Sequence, residues 1–218
     1  MHIVPLPLLD DPAVRLGLVE DLKAGKIAVY PTDTLYGVGG RGDLPAVCLA
    51  LDRLKKRPAG QVYSVALGSM EMLKALAWIE DDRLWTLLTR VLPGPYTFVI
   101  RLLPAVRLPA SGYGPTLGIR IPDLPPLTRL ITELNAPLIT TSINRSGEPP
   151  MHESARIREA FPSLDLLIDA GDLPQTAPST LLDMSTPEPF ALLRRGGGFE
   201  ALVACLDELG LGWRPGPA

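Results

Sequence analysis

Four loops concentrate hydroxyl and amide side chains beside glycine or proline: residues 31–37, 140–147, 178–180 and 194–198. Each borders a short apolar stretch that reads as a strand. Four cations accompany them, Lys55, Arg57, Arg120 and Arg194. Ligands of open α/β sheets collect beyond the carboxyl ends of strands. If these strand ends converge, the result is a cationic cavity lined by hydroxyls. Such a cavity suits phosphates and carboxylates, to which arginine offers a bidentate fork. Backbone N–H groups in the glycine-rich turns add donors. Catalysis there would rest on positioning and electrostatic stabilisation, with no protein nucleophile.

Each feature also has a plainer reading. Pro31-Thr32-Asp33-Thr34-Leu35-Tyr36-Gly37 follows the apolar run Lys26–Tyr30 and could be an ordinary polar turn. Lys55-Lys56-Arg57 closes a helical pattern, where three cations complement the helix dipole. Arg120 stands inside Leu117-Gly118-Ile119-Arg120-Ile121. A charge is seldom buried alone, so it either lines a polar cavity or sits in an ion pair. The cavity is the favoured reading.

Other chemistries fit poorly. The P-loop and nucleophile-elbow patterns are absent. His2 and His152 are the two histidines, one near the terminus and one at a helix start, so a Ser-His-Asp triad is not expected. Cys48 and Cys205 lie far apart and read as buried thiols. No residue is assigned as a metal ligand. Gly37-Val38-Gly39-Gly40-Arg41-Gly42 matches G-x-G-x-x-G, but it starts seven residues after the preceding strand and lacks a βαβ setting. Its flexible backbone could still approach a ligand.

The elements that must position these residues alternate along the chain. Asp11-Pro12 opens a helix that Gly25 ends. Strand 26–30 follows, then helix 43–54, strand 62–67, helices 71–79 and 81–91, and strand 96–103. Residues 104–115 form a loop long enough to be a lid or functional loop. Strand 117–121, helix 126–134, strand 136–140, helix 153–161 and strand 164–169 come next. Strands at 181–183 and 190–193 precede a final helix, 200–209, and a short tail. The fold class expected is α/β: a twisted, open, mixed but mostly parallel sheet with flanking helices around a basic cavity.

The 218 residues include 46% hydrophobic ones, enough for a substantial core. The net charge of −3 argues against a globally basic nucleic-acid binder, so an anionic ligand needs a local cluster of cations. No apolar run reaches membrane-spanning length. Residues 1–7 lack a basic n-region and a cleavage site, and the expected location is cytoplasmic.

Seven motifs occur in order. They are Tyr30-Pro31-Thr32-Asp33-Thr34-Leu35-Tyr36-Gly37, Lys55-Lys56-Arg57-Pro58, Pro93-Gly94-Pro95-Tyr96-Thr97, Gly118-Ile119-Arg120-Ile121-Pro122, the stretch from Thr141 to Gly147, Ser179-Thr180-Leu181-Leu182-Asp183 and Leu193-Arg194. Together they resemble the YrdC/TsaC family of threonylcarbamoyl-adenylate synthases. The resemblance runs over 12–198, a YrdC-like domain of the family's short form, with 199–218 as a C-terminal helix and tail of the same domain. It departs from the family's pattern at Val62-Tyr63, Ala66, Ile143 and Arg195.

The resemblance implies a nucleotidyltransferase reaction in which L-threonine, bicarbonate and ATP give threonylcarbamoyl-AMP and pyrophosphate. Mg²⁺ would accompany the ATP. A separate threonylcarbamoyl transferase complex would use the product on tRNA. It implies that Lys55 and Arg57 hold phosphates and serve catalysis. It assigns Thr32, Thr34, Arg120, Ser142 and Ser179 to threonine, and Thr140, Asn144 and Arg194, with Lys55 and Arg57, to ATP. Two other readings accompany it. One is a double-stranded RNA or tRNA binder without synthase activity. The other is the carbamoyl-transfer module of hydrogenase maturation proteins, which are much longer.

Overall fold

The computed structural model describes residues 1–56, 58, 60–144 and 148–216. Arg57, and Arg145–Gly147 of the loop motif, lie outside the described residues. In chain order the elements are β1 His2–Pro5, α1 Pro12–Lys23, β2 Ala28–Tyr30, β3 Gly37–Gly39, α2 Pro45–Leu54, β4 Val65–Ala66 and α3 Met70–Lys74. Then come α4 Asp82–Val91, β5 Tyr96–Arg101, β6 Thr116–Arg120, α5 Pro125–Leu134, β7 Leu138–Ile139 and β8 Thr141–Ser142. The last are α6 Ser154–Ala160, β9 Leu166–Asp169, β10 Thr180–Asp183, β11 Phe190–Arg194, α7 Phe199–Glu208 and β12 Trp213–Pro215.

Local chemistry accounts for the firmest elements. The Asp11 carboxylate accepts from Ala13 N at 2.8 Å while Pro12 occupies the first turn of α1, where its missing N–H costs nothing. Gly25 closes that helix at φ +86°. Leu18, Val19 and Leu22 of α1 join Leu127, Leu130, Ile131 and Leu134 of α5 over Ala28, Tyr30 and Leu166 in one buried cluster. A larger cluster packs α2, α4 and α7 against the remaining strands, through Leu51, Leu88, Phe98, Ile119 and Leu206 among others. Fully burying a leucine-sized side chain contributes about 1.5–3 kcal/mol, so these two cores hold the layers together.

The mixed α/β class with flanking helices matches the expectation from sequence. The strands divide between two sheets, however, with orders β1-β9-β2-β3-β8 and β12-β11-β10-β5-β6-β4-β7. The pairs β1–β9, β2–β9, β4–β6, β5–β10 and β11–β12 are parallel. The pairs β2–β3, β3–β8, β4–β7, β5–β6 and β10–β11 are antiparallel. Among the described residues the two kinds are equal in number, where the sequence suggests a parallel majority. The short strands β3, Gly-Val-Gly, and β8, Thr-Ser, supply two of the antiparallel pairings and leave no hydrophobic period to read.

The two sheets meet where residues 138–142 pass from one to the other. Leu138–Ile139 pairs with β4 in the second sheet, and Thr141–Ser142 pairs with β3 in the first. Ile139 N also donates to Gly40 O at 2.8 Å, and Gly42 N to Pro137 O at 2.7 Å. This contact explains the glycine run. A Cβ at Gly39 would lie 1.7 Å from Ile139 O, so only glycine lets the backbones approach this closely. Gly39, Gly40 and Gly42 of the run thus meet the protein's own backbone, while Gly37 at its start lines the cavity described below. Loop 104–115 is likewise packed in: Leu108, Ala110 and Ser111 are buried, and Tyr63 N donates to Ala110 O at 2.8 Å.

Candidate functional site

The cavity lies between the sheets, over the face of the second one, and measures about 360 Å³. Strand alternation builds its floor, because every second residue of a strand points to one face. Ala66 pairs with Arg120, Thr97 with Leu181, and Leu181 with Arg194. One step beyond the Phe98–Ile119 pair, Thr97 falls opposite Arg120. The row Ala66, Arg120, Thr97, Leu181, Arg194 therefore runs across five adjacent strands. The loop after β2 and residues 140–142 form the opposite wall. The site thus opens over a sheet face, where converging strand ends were expected.

The loop after β2 is tied by its own hydroxyls. Thr32 Oγ1 donates to Leu35 O at 2.7 Å and accepts from Leu35 N and Thr34 N at 3.1 and 3.2 Å. Thr32 lines the cavity, but its hydroxyl is taken up in shaping the turn that presents Thr34. Tyr36 anchors the next layer. Its hydroxyl donates to Gly171 O at 2.8 Å and accepts from Ala170 N at 2.9 Å. Burial pushes the Tyr36 hydroxyl up to about 12, so it stays a protonated donor at neutral pH. Thr176 Oγ1 donates to Thr34 O at 2.6 Å, which fastens the segment leading to Pro178 and Ser179 over the same loop.

Arg120 is 6% exposed and resolves the two sequence readings by satisfying both. It lines the cavity, and it pairs with Asp33 in a short hydrogen-bonded contact. Its other terminal nitrogen, Nη1, donates to Thr34 Oγ1 at 3.2 Å. Burial pulls the guanidinium below its ordinary value and Asp33 opposes that pull. Arg120 Nε and Asp33 Oδ2 are buried without partners among the described residues. Arg194 reaches in from β11, donating through Nε to Ser179 O at 2.9 Å and through Nη2 to Ser179 Oγ at 3.0 Å. Desolvation lowers its pKa and the nearby Arg120 charge adds to that. Ser179 Oγ also meets Thr97 Oγ1 at 2.8 Å.

Lys55, 6% exposed, stands behind the opposite wall. Its Nζ donates to Ser142 O at 2.8 Å, Asn144 Oδ1 at 2.7 Å and Thr141 Oγ1 at 3.3 Å. Ser142 Oγ donates to the same Asn144 oxygen at 2.8 Å. One helix turn earlier, buried Asp52 accepts from Tyr63 Oη at 2.7 Å and Gly60 N at 3.0 Å. That network holds the two ends of the segment carrying the cations. Tyr63→Phe removes one of these bonds and is expected to cost about 1.5–3 kcal/mol, the scale of a hydrogen bond to a charged group. Thermal denaturation checks it, as a fall of several degrees in Tm.

Thr32, Thr34, Arg120, Thr140, Ser142, Ser179 and Arg194 all line the one cavity, and Lys55 and Asn144 brace its wall. Arg57 lies outside the described residues. Ser64, Thr97, Thr141, Tyr36 and Tyr63 line the cavity too; Tyr36 and Thr141 belong to the polar loops that the sequence singles out, but none of the five is assigned to a substrate there. Thr97 and Ser64 could have been found by alternation from Arg120, given the strand register.

The family model Sua5_yciO_yrdC, described as "Telomere recombination", matches residues 20–196. The chain belongs to this family. Among relatives, the human "Threonylcarbamoyl-AMP synthase" is 31% identical over 196 residues, covering 87% of this chain and 70% of that protein. The Neisseria gonorrhoeae protein of the same name is 32% identical, covering 76% of this chain and 88% of its own. Of solved structures, Sua5 of P. abyssi complexed with L-threonine superposes with a TM-score of 0.80 at 26% identity, covering 93% of this chain. This chain spans 61% of the length of that Sua5 chain.

Proposed function

We propose that this protein is an L-threonylcarbamoyladenylate synthase. The observation that carries the reading is a buried arginine, Arg120, on the floor of a hydroxyl-lined cavity, in a family whose relatives bear that name. The L-threonine carboxylate binds the Arg120 fork, beside Thr34, Ser142 and Ser179, with Thr32 shaping the turn. The threonine nitrogen adds to bicarbonate and water leaves, giving a carbamate. A carbamate oxygen then attacks the α-phosphorus of ATP, forming the new P–O bond as the bond to pyrophosphate breaks. The protein needs no nucleophile of its own. Lys55, Arg57 and Arg194, with Thr140 and Asn144, hold the nucleotide end and offset the charge gathering on the departing pyrophosphate.

Mg²⁺ enters this proposal as part of the MgATP substrate. The Asp33 carboxylate is engaged by Arg120, and no cluster of three or more acidic, histidine or cysteine side chains occurs among the described residues. Those residues do not fit a resident hard-cation site, so no step is routed through one. The product is a reactive mixed anhydride, which a tRNA-modifying threonylcarbamoyl transferase complex would consume. No helix among the described residues is long and apolar enough to cross a membrane, and the proposed site of action is the cytoplasm.

The test is pyrophosphate release from ATP, Mg²⁺ and bicarbonate with and without L-threonine. Threonine-dependent release of pyrophosphate and formation of threonylcarbamoyl-AMP are expected. Release independent of threonine, or none, overturns the synthase. Salt-sensitive retention of double-stranded RNA without turnover would install the RNA-binding reading in its place.

A further inference from the structure

We infer that Ser64 hydrogen-bonds the side-chain hydroxyl of the amino-acid substrate and so selects a β-hydroxy amino acid; this deepens the synthase reading and rests on it. Ser64 lines the cavity one residue before β4. Most other cavity hydroxyls are already engaged. Thr32 bonds within its loop, Thr34 accepts from Arg120, Thr97 and Ser179 bond each other, Thr141 accepts from Lys55 and Ser142 donates to Asn144. Tyr36 and Tyr63 donate to Gly171 and Asp52. Ser64 Oγ has no hydrogen-bond partner among the described residues.

The fold keeps room for that hydroxyl. A Cβ built on Gly118 would lie 2.4 Å from Ser64 Oγ, so any side chain at 118 displaces it. The β4–β6 register pairs Val65 with Ile119 and Ala66 with Arg120, which sets Ser64 opposite Gly118. Ser64 and Gly118 therefore share the cavity face with Arg120, two residues from it along the strand. Two residues of strand span roughly 6.6 Å. An α-amino acid with its carboxylate on Arg120 places its β-substituent within that span. A free hydroxyl, able to donate and accept, is the group that distinguishes a β-hydroxyl from a methyl there. A site built to hydrogen-bond a substrate hydroxyl rejects the analogue lacking it, because its polar group is then left without a partner.

The test measures binding of L-threonine and L-2-aminobutyrate, which lacks the hydroxyl, by titration calorimetry, together with pyrophosphate release. Ser64→Ala should weaken threonine binding about tenfold, the scale of one hydrogen bond, while 2-aminobutyrate changes by less than about twofold. Gly118→Ala, checked for folding by its melting curve, should show the same selective loss. An equal loss for both amino acids, or none for threonine, overturns the assignment. If the intact protein binds neither amino acid, the assignment falls with the synthase reading. If it binds threonine with the Ser64 signature but releases no pyrophosphate, the synthase reading fails and the Ser64 assignment stands.

Discussion

Arg120→Ala is expected to raise the threonine KM by about 10²-fold or more, with a smaller effect on kcat. Truncating one partner of a buried, hydrogen-bonded charge pair costs about 2–5 kcal/mol, and each 1.4 kcal/mol is tenfold in affinity. The carboxylate is present in ground and transition states alike, so its loss falls mainly on KM. The same substitution strands Asp33, whose side chain is 10% exposed and whose Oδ2 already lacks a partner among the described residues. Leaving a buried charge without its partner destabilises by about 3–5 kcal/mol, so the variant should also melt early. Adding Asp33→Asn removes that stranded charge. The double variant should recover much of the lost Tm while its KM stays high. Arg120→Lys should not restore KM, because an ammonium cannot reproduce the planar fork. Steady-state kinetics and thermal melts on the four proteins separate the effects. An unchanged KM beside a lowered Tm would make Arg120 a structural ion pair and nothing more.

How much of this site was legible in the sequence depends on the kind of physics involved. Arg120 was legible because an arginine inside an apolar strand demands a partner or a cavity, and the structure supplies both. The α1 start was legible because Asp11 and Pro12 act locally. The sheet junction was not. β3 is Gly-Val-Gly and β8 is Thr-Ser, too short and too small to show alternation. Their pairing depends on backbone approach at Gly39, where a side chain would strike Ile139 O, a residue 100 positions away. β1 and β12 were missed for a related reason, since their partners begin at Leu166 and Phe190 and no local pattern announces them. Ser64 needed the β4–β6 register before its relation to Arg120 could be seen. Long-range register turns a strand residue into a floor residue, and a one-residue slip would face it the other way.

The second large effect belongs to Lys55. Lys55→Met is expected to lower kcat by about 10²–10³, the scale for removing a preorganised charge-stabilising donor. Methionine keeps most of the apolar volume at a position that is 6% exposed, so the loss reports on the ammonium and not on a cavity. That ammonium does two things at once. It ties Ser142 O and Asn144 Oδ1 at 2.8 and 2.7 Å, and it sets a positive charge behind the wall to which the proposed reaction assigns the nucleotide. Asn144→Ala separates them. It removes the amide that Lys55 and Ser142 both reach, yet leaves the charge in place. It should cost about tenfold, in keeping with neutral hydrogen bonds of about 0.5–1.5 kcal/mol. If the two variants lose the same factor, Lys55 acts only by bracing residues 141–144. If Lys55→Met falls well below Asn144→Ala in kcat while both retain their melting temperature, the charge itself carries the chemistry. Near-normal turnover in Lys55→Met would remove Lys55 from the catalytic group altogether.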